Sequence, residues 1–296
     1  HPAVWAVPVW DGADAGVPAE RAGRLKVWLD GSGRETAGAS FFGRKLAKAN
    51  RASDVPSPEN IPVFLFAIHQ LCPDTLESYA PFLSPERWHR AGAFRREADR
   101  LRCVAAGLLG NFCLWQWCGG RPMTLGRNRY GKPFLEGSPV QFSLSHAGDW
   151  AVCGLADCPL GVDIEKVRPV ECGMYELCLT PQERQQLEQA PMPPERRFIQ
   201  LWTLKESFGK LRGDGLNCGF PQFQVEPVEG DACRSVIRHV QTGQPCASGF
   251  TQPVGEDYCL SICVPPERTL RSAVIVPVTL ADMEPWMAQK KPFRWL

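Results

Sequence analysis

From residue 60 onward the sequence repeats one order of secondary-structure patterns, and this order limits the folds that the chain can adopt. An apolar, strand-like stretch at 61–71, IPVFLFAIHQL, leads into a long helical pattern over 84–117 and then into two short strand patterns. A second set follows, with an extended stretch at 160–169, a helical pattern over 193–213 and further strands through DYCLSICV. Two such sets in one chain predict two similar halves.

Local signals mark where the two helical patterns begin and end. Ser84 followed by Pro85 is typical of a helix start, and the Gly-Gly-Arg-Pro stretch after 117 predicts its end. We therefore expect one continuous helix over 84–117. The second helical pattern is expected to stop at Gly213.

The composition before residue 60 differs from that of the rest of the chain. Residues 1–60 are rich in Gly, Ala, Pro, Ser and charge, which favours a loop or linker, and we expect an arm that is partly disordered. The N-terminal half is then predicted over 61–156 and the C-terminal half over 157–270. A C-terminal extension is expected over 271–296.

Composition excludes several classes of protein. A formal net charge of +1 gives no global field that would attract nucleic acid. No segment has the roughly 20 consecutive apolar residues that a membrane-spanning helix needs, and no secretory signal is recognised. The thirteen cysteines are odd in number and often lie in apolar runs, so we expect buried free thiols in a reducing cytoplasm, without disulfides or zinc.

The stretch GVDIE carries two acids near the end of a strand pattern. If it is extended, Asp163 and Glu165 project from one face while Val162 and Ile164 pack inward. Two converging carboxylates repel each other, and a divalent cation with room for water and phosphate oxygens, such as Mg²⁺, would relieve the repulsion. The alternative is an edge strand with solvated acids, one of them neutralised by Lys166.

A third acid lies in the helical stretch WTLKESFGK. Trp202, Glu206 and Lys210 are spaced by four and share a helix face, with the acid N-terminal to the lysine. This pair alone is also typical of an ordinary surface ion pair. Together with the acids of GVDIE, it supplies metal ligands and a cation that suit a pyrophosphate group.

At this point the chain resembles the surfactin-type 4'-phosphopantetheinyl transferases. GVDIE and WTLKESFGK match that family's two signature motifs in wording and order, and YGKP, FSLSH and SPERWHRAGAFRREADRLR extend the resemblance over roughly 60–270. The resemblance implies a pseudo-dimeric α+β fold, with two similar α/β halves in one chain and the active site between them. It also implies a monomer that holds coenzyme A and Mg²⁺ in that cleft.

The resemblance assigns roles to the acids and lysines of the two signature motifs. Asp163, Glu165 and Glu206 are implied as Mg²⁺ ligands, and Glu206 also as the base for an incoming serine. Lys210 is implied to contact the phosphate under attack and to stabilise or protonate the leaving 3',5'-ADP. Lys205 is expected to approach the phosphates or the carrier protein from the side.

The resemblance also places coenzyme A contacts in the N-terminal half. The implied residues are Arg87, Arg90 and Arg102 for the 3'-phosphate, Tyr130, Gly131, Lys132 and Pro133 for adenine, and Ser145 and His146 for the phosphates. Two of the three arginines stand where lysine is expected, and their bidentate geometry still suits phosphate. The alternatives are a solvated basic helix face paired with its neighbouring acids Glu86, Glu97 and Asp99, and a structural histidine.

The implied reaction transfers the 4'-phosphopantetheine arm of coenzyme A to a serine of an apo acyl or peptidyl carrier protein and releases 3',5'-ADP. Two other classes stay open: a metal-dependent phosphohydrolase, and a non-catalytic module that binds coenzyme A or a carrier protein. The presence of all three acids together with Lys210 argues against the non-catalytic module, which would typically have lost one of them.

Overall fold

The computed structural model describes most of the chain after residue 58. The described ranges are 59–121, 123–171, 173–190, 192–213, 219–288 and 293–295. The predicted arm over 1–60 lies outside them except for its last two residues. The described residues form two compact units: the N-terminal unit contains 59–160 and the segment from 274 onward, and the C-terminal unit contains 161–273.

Helices and strands alternate along both units. In chain order they are β1 (Asn60–Ala67), α1 (Pro85–Ala93), α2 (Glu97–Trp117), β2 (Met123–Arg127), β3 (Pro133–Leu135), β4 (Gln141–Ala147), β5 (Trp150–Ala156), β6 (Gly161–Lys166), α3 (Gly173–Cys178), α4 (Pro181–Gln189), α5 (Pro194–Arg212), β7 (Phe223–Val228), β8 (Asp231–His239), β9 (Pro245–Val254), β10 (Tyr258–Val264), β11 (Ser272–Val278), α6 (Leu280–Met287) and β12 (Phe293–Trp295). Short 3₁₀ segments cover Ile68–Gln70, Pro73–Phe82 and Phe220–Gln222. This content confirms the predicted α+β class.

The N-terminal unit is built around a four-stranded sheet in the order β11-β1-β5-β4. β5 pairs antiparallel with both β1 and β4, and α2 supplies the largest share of the core against them. A smaller sheet has the order β12-β2-β3. The long helix α2 is buried on all sides from Cys103 to Leu114, because nearly all of these residues are apolar.

The end of the chain belongs to the core of the N-terminal unit. Strand β11 is the edge neighbour of β1, and Trp286 of α6 is fully buried. Its ring lies 5.2 Å from the ring of Phe82 and 6.2 Å from that of Phe112, measured between centroids. The segment after 271, which the sequence set apart as an extension, therefore completes this core.

The long helical pattern over 84–117 forms two helices, where one was predicted. Ser84 caps α1 as expected, because its side chain accepts a hydrogen bond from the Arg87 amide at 3.1 Å. The helix stops at Phe94, whose backbone is extended (φ −73°, ψ 131°), and α2 starts after Arg96. The break lets α1 fold back onto α2, a packing contact that helical periodicity alone does not reveal.

The C-terminal unit is a five-stranded antiparallel sheet, in the order β6-β10-β9-β8-β7, with α5 packed on one face. The core between helix and sheet contains Phe198, Leu204 and Phe208 from α5 together with Val225 and Ile237 from the strands. The helix ends where predicted, at Gly213 in the left-handed conformation (φ 77°).

The cysteines agree with a further expectation. Eleven of the thirteen cysteines lie in the described ranges, all as free thiols, and seven of these are buried. Among the helices that the structure describes, none combines the length and the apolar character that a membrane span requires.

Candidate active site

Strand β6 directs its two acids toward α5. Asp163 lies opposite Ser261 of β10, and Glu165 lies opposite Cys259, so both occupy the sheet face on which the helix packs. Val162 and Ile164 are fully buried, and their alternate positions place them on the other face. The predicted alternation of side chains along GVDIE is present, and Asp163 is only 3% exposed.

Gly161 lets the start of β6 approach α5 more closely than any other residue could. An added Cβ atom would overlap the carbonyl oxygen of Ser207 and lie 2.5 Å from the amide nitrogen of Leu211. Ser207 in turn donates to the carbonyl of Ser261 at 2.9 Å. Sequence reasoning missed this role of Gly161, although a glycine beside two acids is a signal for close backbone approach.

The close approach brings the acids of β6 to the acid and lysine of α5. The Lys210 ammonium donates to Asp163 Oδ1 at 2.6 Å, and its side chain is 29% exposed. Glu165 Oε2 and Glu206 Oε1 are buried and have no hydrogen-bond partner. The structure therefore brings together all four residues that the two motifs predicted.

The carboxyl groups of this cluster lie close enough to raise one another's pKa. Burial and then the Asp163 carboxylate raise the pKa of Glu206 to about 7, against the opposing effect of Lys210. Burial, followed by Asp163, also raises the pKa of Glu165 well above its usual range, and Glu206 adds to this effect. Three carboxyl groups near one ammonium group leave excess negative charge in a site of low dielectric.

The donor set fits a hard divalent cation. Carboxylate oxygens are the ligands that Mg²⁺ prefers, and two buried oxygens here lack partners. Within the described residues, no group of three or more His, Cys, Asp or Glu side chains is placed so that it could by itself hold a metal ion. A Mg²⁺ ion at this cluster would therefore need oxygen ligands from a substrate or from water as well.

Lys205 lies in the interior instead of beside the predicted phosphates. Its side chain is fully buried, and its ammonium lies 2.5 Å from Glu183 Oε2. It also donates to the carbonyls of Cys178, Phe220 and Phe223 at 2.9–3.2 Å. These acceptors surround its three N–H donors in the interior of the C-terminal unit, whereas the sequence predicted that Lys205 approaches the phosphates or a carrier protein.

Glu183 is a residue that sequence reasoning missed. It belongs to a capping box at the start of α4, in which Thr180 and Glu183 each accept from the other's backbone amide. Its Oε1 also accepts from the Val225 amide at 2.8 Å. The signal was present in the sequence, because Thr-Pro-Gln-Glu has the spacing of a capping box.

In the N-terminal unit, Arg87 lies across α2. A Cβ added to Gly107 would overlap Arg87 Cδ, and the guanidinium donates to the Cys103 carbonyl at 3.2 Å. Burial and then the neighbouring Arg90, with a further contribution from Arg127, lower the pKa of Arg87 to about 10. Arg87 therefore carries a charge that is short of counter-ions.

The other two predicted arginines are placed differently. Arg90 is exposed on the last turn of α1. Arg102 forms an ion pair with Asp99 at 2.5 Å and donates to the Gly148 carbonyl at 3.4 Å. The pairing with Asp99 is one of the intrahelical contacts that the alternative interpretation of this face predicted.

The YGKP segment forms a tight turn between β2 and β3. Asn128 Oδ1 accepts from the amides of Tyr130 and Lys132 at 2.9 Å, and Gly131 has a positive φ of 86°. Tyr130 is 53% exposed. The Lys132 ammonium donates to the Leu160 carbonyl at 3.1 Å, and burial lowers its pKa to about 8.

Ser145 and His146 lie near the end of β4. Adjacent residues in a strand project to opposite faces, and here Ser145 is buried whereas His146 is exposed. Of the two side chains, His146 is the more accessible to a ligand.

Comparison with known proteins defines the class to which this fold and site belong. The sequence model of the 4'-phosphopantetheinyl transferase superfamily matches residues 159–263, which contain the acid cluster. A 4'-phosphopantetheinyl transferase of Bacillus pumilus is 30% identical over 193 residues, covering 64% of this chain and 81% of the relative. A 4'-phosphopantetheinyl transferase of Bacillus subtilis is 31% identical over 186 residues, covering 61% and 81%.

A solved structure, the holo-[acyl-carrier-protein] synthase of Thermotoga maritima, aligns with a TM-score of 0.31 at 20% identity, covering 37% of this chain and 64% of that one. The assignment does not depend on this distant likeness. The two Bacillus relatives define an enzyme that transfers phosphopantetheine groups. The chain belongs to the surfactin-type 4'-phosphopantetheinyl transferase family.

Proposed function

We propose that this enzyme transfers the 4'-phosphopantetheine arm of coenzyme A to a serine hydroxyl of an apo acyl or peptidyl carrier protein, with Mg²⁺, and releases 3',5'-ADP. The observation that carries the proposal is the cluster of Asp163, Glu165 and Glu206 around Lys210, in which two buried carboxylate oxygens lack partners. Such excess negative charge is suited to a metal-bound pyrophosphate.

The three acids are proposed as the Mg²⁺ ligands. The bound ion would neutralise charge on the pyrophosphate of coenzyme A as the phosphorus–oxygen bond breaks. Glu206 is also proposed as the base that accepts the serine proton. Lys210 is half-buried beside Asp163 and carries the positive charge that the leaving group needs.

The bond changes then balance without a covalent enzyme intermediate. The serine oxygen forms a bond to the β-phosphorus of coenzyme A, and its proton passes to Glu206. The bond between that phosphorus and the oxygen leading to 3',5'-ADP breaks, and Lys210 stabilises or protonates the departing phosphate. Positioning and charge neutralisation supply most of the rate in such reactions.

Recognition of coenzyme A is proposed for the N-terminal unit. Arg87 is the best placed of the predicted arginines, since its guanidinium is partly buried and short of counter-ions. Arg90 and Arg102 are proposed as weaker contributors to the 3'-phosphate site. The YGKP turn is proposed to contact adenine, and the Ser145–His146 pair the phosphates. Lys205 is proposed to have a structural role instead.

A direct assay of phosphopantetheine transfer tests the proposed function. The full chain is incubated with Mg²⁺, coenzyme A and a panel of apo carrier proteins, and each carrier is weighed by mass spectrometry. A gain of one phosphopantetheine group, matched by 3',5'-ADP release and abolished by EDTA, is expected for at least one carrier. Release of inorganic phosphate from coenzyme A without any carrier would instead favour a phosphohydrolase.

We further propose that the enzyme acts as a monomer in the cytoplasm. The free thiols among the described residues are consistent with a reducing compartment. Light scattering of the purified chain, with and without coenzyme A, tests the monomer. A dimer mass that persists on dilution would contradict it.

A further inference from the structure

A cavity of about 300 Å³ lies within the C-terminal unit, between the first turns of α5 and the strands β8, β9 and β10. Among the described residues that line it, none is proposed to bind Mg²⁺ or coenzyme A. Its volume is at the lower end of the range of sites that hold small molecules. The cavity is therefore large enough for a ligand and is not assigned by the proposed transfer reaction.

Apolar side chains form much of the wall of this cavity. Ile199 and Leu204 of α5 and Cys259 of β10 line it, and each of them is buried. Val167 and Tyr258, which are also buried, extend the same wall. A hydrocarbon chain placed against these residues would lose contact with water on most sides, which is the main source of affinity for an apolar ligand.

A half-buried arginine, Arg197, lines the same cavity. Its Nη1 donates to Gln200 Oε1, a neutral acceptor, at 3.0 Å, and no carboxylate in the described part of the chain forms an ion pair with it. Burial lowers the pKa of Arg197, and Glu183 opposes this effect. Glu183 is itself paired with Lys205. Arg197 therefore carries a partly desolvated charge that a bound anion would stabilise.

The charges around the cavity favour a ligand with one anionic group. Arg196 and Arg197 both line it, and no Asp or Glu does so among the described residues. The planar fork of a guanidinium matches a carboxylate. The other polar side chains of the lining are neutral, and they include Gln200, Ser235, Thr251 and Gln252. An apolar wall beside guanidinium groups is complementary to an amphipathic carboxylate, and a fatty acid anion has this combination.

We infer that the C-terminal unit binds a medium-chain fatty acid in this cavity, with the carboxylate on the Arg197 guanidinium and the hydrocarbon chain against Ile199 and Leu204. This ligand site goes beyond the proposed function, because its lining shares no residue with the acid cluster or with the proposed coenzyme A contacts. The affinity of the site then depends both on the charge of the ligand and on the length of its chain.

The experiment measures binding of decanoate, octanoate and 1-decanol to the full chain by calorimetry. Octanoate should bind about tenfold more weakly than decanoate, because its chain is two methylenes shorter. Arg197→Gln should raise the Kd for decanoate about tenfold or more, the range of a hydrogen bond to a charged group, and that for neutral 1-decanol less than about threefold. No binding of decanoate to the wild type, or equal weakening of decanoate and 1-decanol by Arg197→Gln, would overturn the inference.

Two further variants distinguish binding in this cavity from adsorption elsewhere on the protein. Arg234→Gln is the matched control, because Arg234 lies on β8 between Cys233 and Ser235 of the lining and projects from the other face of the sheet. It removes one positive charge and should leave the Kd for decanoate unchanged. Cys233→Phe places a larger apolar side chain in the cavity and should abolish binding of decanoate and 1-decanol. A folded Cys233→Phe chain that binds decanoate as the wild type does would contradict the assigned position.

Coenzyme A serves as a competitor that tests whether the cavity is a separate site. Decanoate is titrated into the wild-type chain in the presence of saturating coenzyme A and Mg²⁺, and its Kd should change less than about threefold. A Kd raised about tenfold or more would show that coenzyme A occupies the cavity, and it would overturn the inference. Binding is measured without a carrier protein, so failure of the proposed transfer activity leaves these results unaffected.

Discussion

Two lysines of α5 lie in regions of opposite character. Lys205 is fully buried, and its ammonium is surrounded by Glu183 Oε2 and three backbone carbonyls, some of them distant in sequence. Lys210, one turn and a half further on, is 29% exposed and pairs with Asp163 among carboxylates that outnumber it. Both form ion pairs at nearly the same distance, 2.5 and 2.6 Å.

The difference between these regions shows that one motif contains both a structural lysine, Lys205, and a lysine of the proposed active site, Lys210. The Lys205 charge is neutralised by Glu183, and its N–H donors all have acceptors. These contacts join α4, α5 and the start of β7. Around Lys210 the negative charge is in excess, which costs stability until a cation or substrate arrives.

The largest effect is expected at the acid cluster. Asp163→Ala should lower kcat/KM for transfer by about 10⁴-fold, a barrier change of about 5 kcal/mol, because it removes both a proposed metal ligand and the partner of Lys210. Excess Mg²⁺ should not restore the rate. Urea unfolding should show a change in stability below about 1 kcal/mol, since the lost ion pair is partly exposed. Near-normal turnover would remove Asp163 from the site.

Next in size is the interior network. Lys205→Met should lower the free energy of unfolding by about 3 to 5 kcal/mol, because Glu183 keeps a buried charge without its partner. Lys210→Met is the matched control: Lys210 is partly exposed, so solvent can reach the Asp163 carboxylate that it leaves behind, and the stability loss should be smaller, about 1 to 3 kcal/mol, with a large loss of kcat.

The double variant Lys205→Met/Glu183→Leu sharpens this second prediction. It should be more stable than Lys205→Met alone, since both charges are gone, and a double-mutant cycle in urea would measure the coupling. A Lys205→Met enzyme that folds normally but binds coenzyme A weakly would contradict the structural role assigned to Lys205.

A third variant acts where strand and helix meet. Gly161→Ala should cost about 1 to 3 kcal/mol of stability, because the new Cβ overlaps the backbone of Ser207 and must push β6 away from α5. The shift also separates the acids of β6 from those of α5, so kcat should fall in the fraction that remains folded. Thermal unfolding and transfer assays on the same preparation would show the losses of stability and of kcat. An unchanged melting temperature together with an unchanged kcat would contradict the role assigned to Gly161.

The smallest effect is a pH dependence in EDTA. The folded pKa of Glu206, about 7, exceeds its usual value of 4.5, so the folded state binds the proton more tightly than the unfolded state does. This contribution to stability is therefore full below pH 4.5 and is lost as the pH rises to 7. Relative to Glu206→Gln, the metal-free wild type should lose on the order of 1 to 2 kcal/mol across this window.

Urea unfolding at several pH values tests this, and saturating Mg²⁺ should abolish the difference. A wild type that gains stability over the same window, relative to Glu206→Gln, would show that Lys210 outweighs burial and the neighbouring acids.

Much of the fold and of the acid cluster could be predicted from local patterns. The alternation of GVDIE placed Asp163 and Glu165 on one face, and the spacing of four placed Glu206 and Lys210 on one side of α5. These predictions succeeded because a strand or a helix carries its own periodicity, whatever it packs against.

The tertiary structure decided those features in which a residue contacts partners far away in the sequence. Lys205 has the same local context as Glu206, yet its place in the interior follows from Glu183 and from carbonyls after α5. The break between α1 and α2 follows from packing across Gly107, and the pairing of Arg127 with Glu86 joins residues on different elements. The sequence by itself determined which side chains share a face, because that is set by backbone geometry over a few residues. Only the folded chain decided which charges found partners and which were left in excess, because burial and pairing depend on the whole unit.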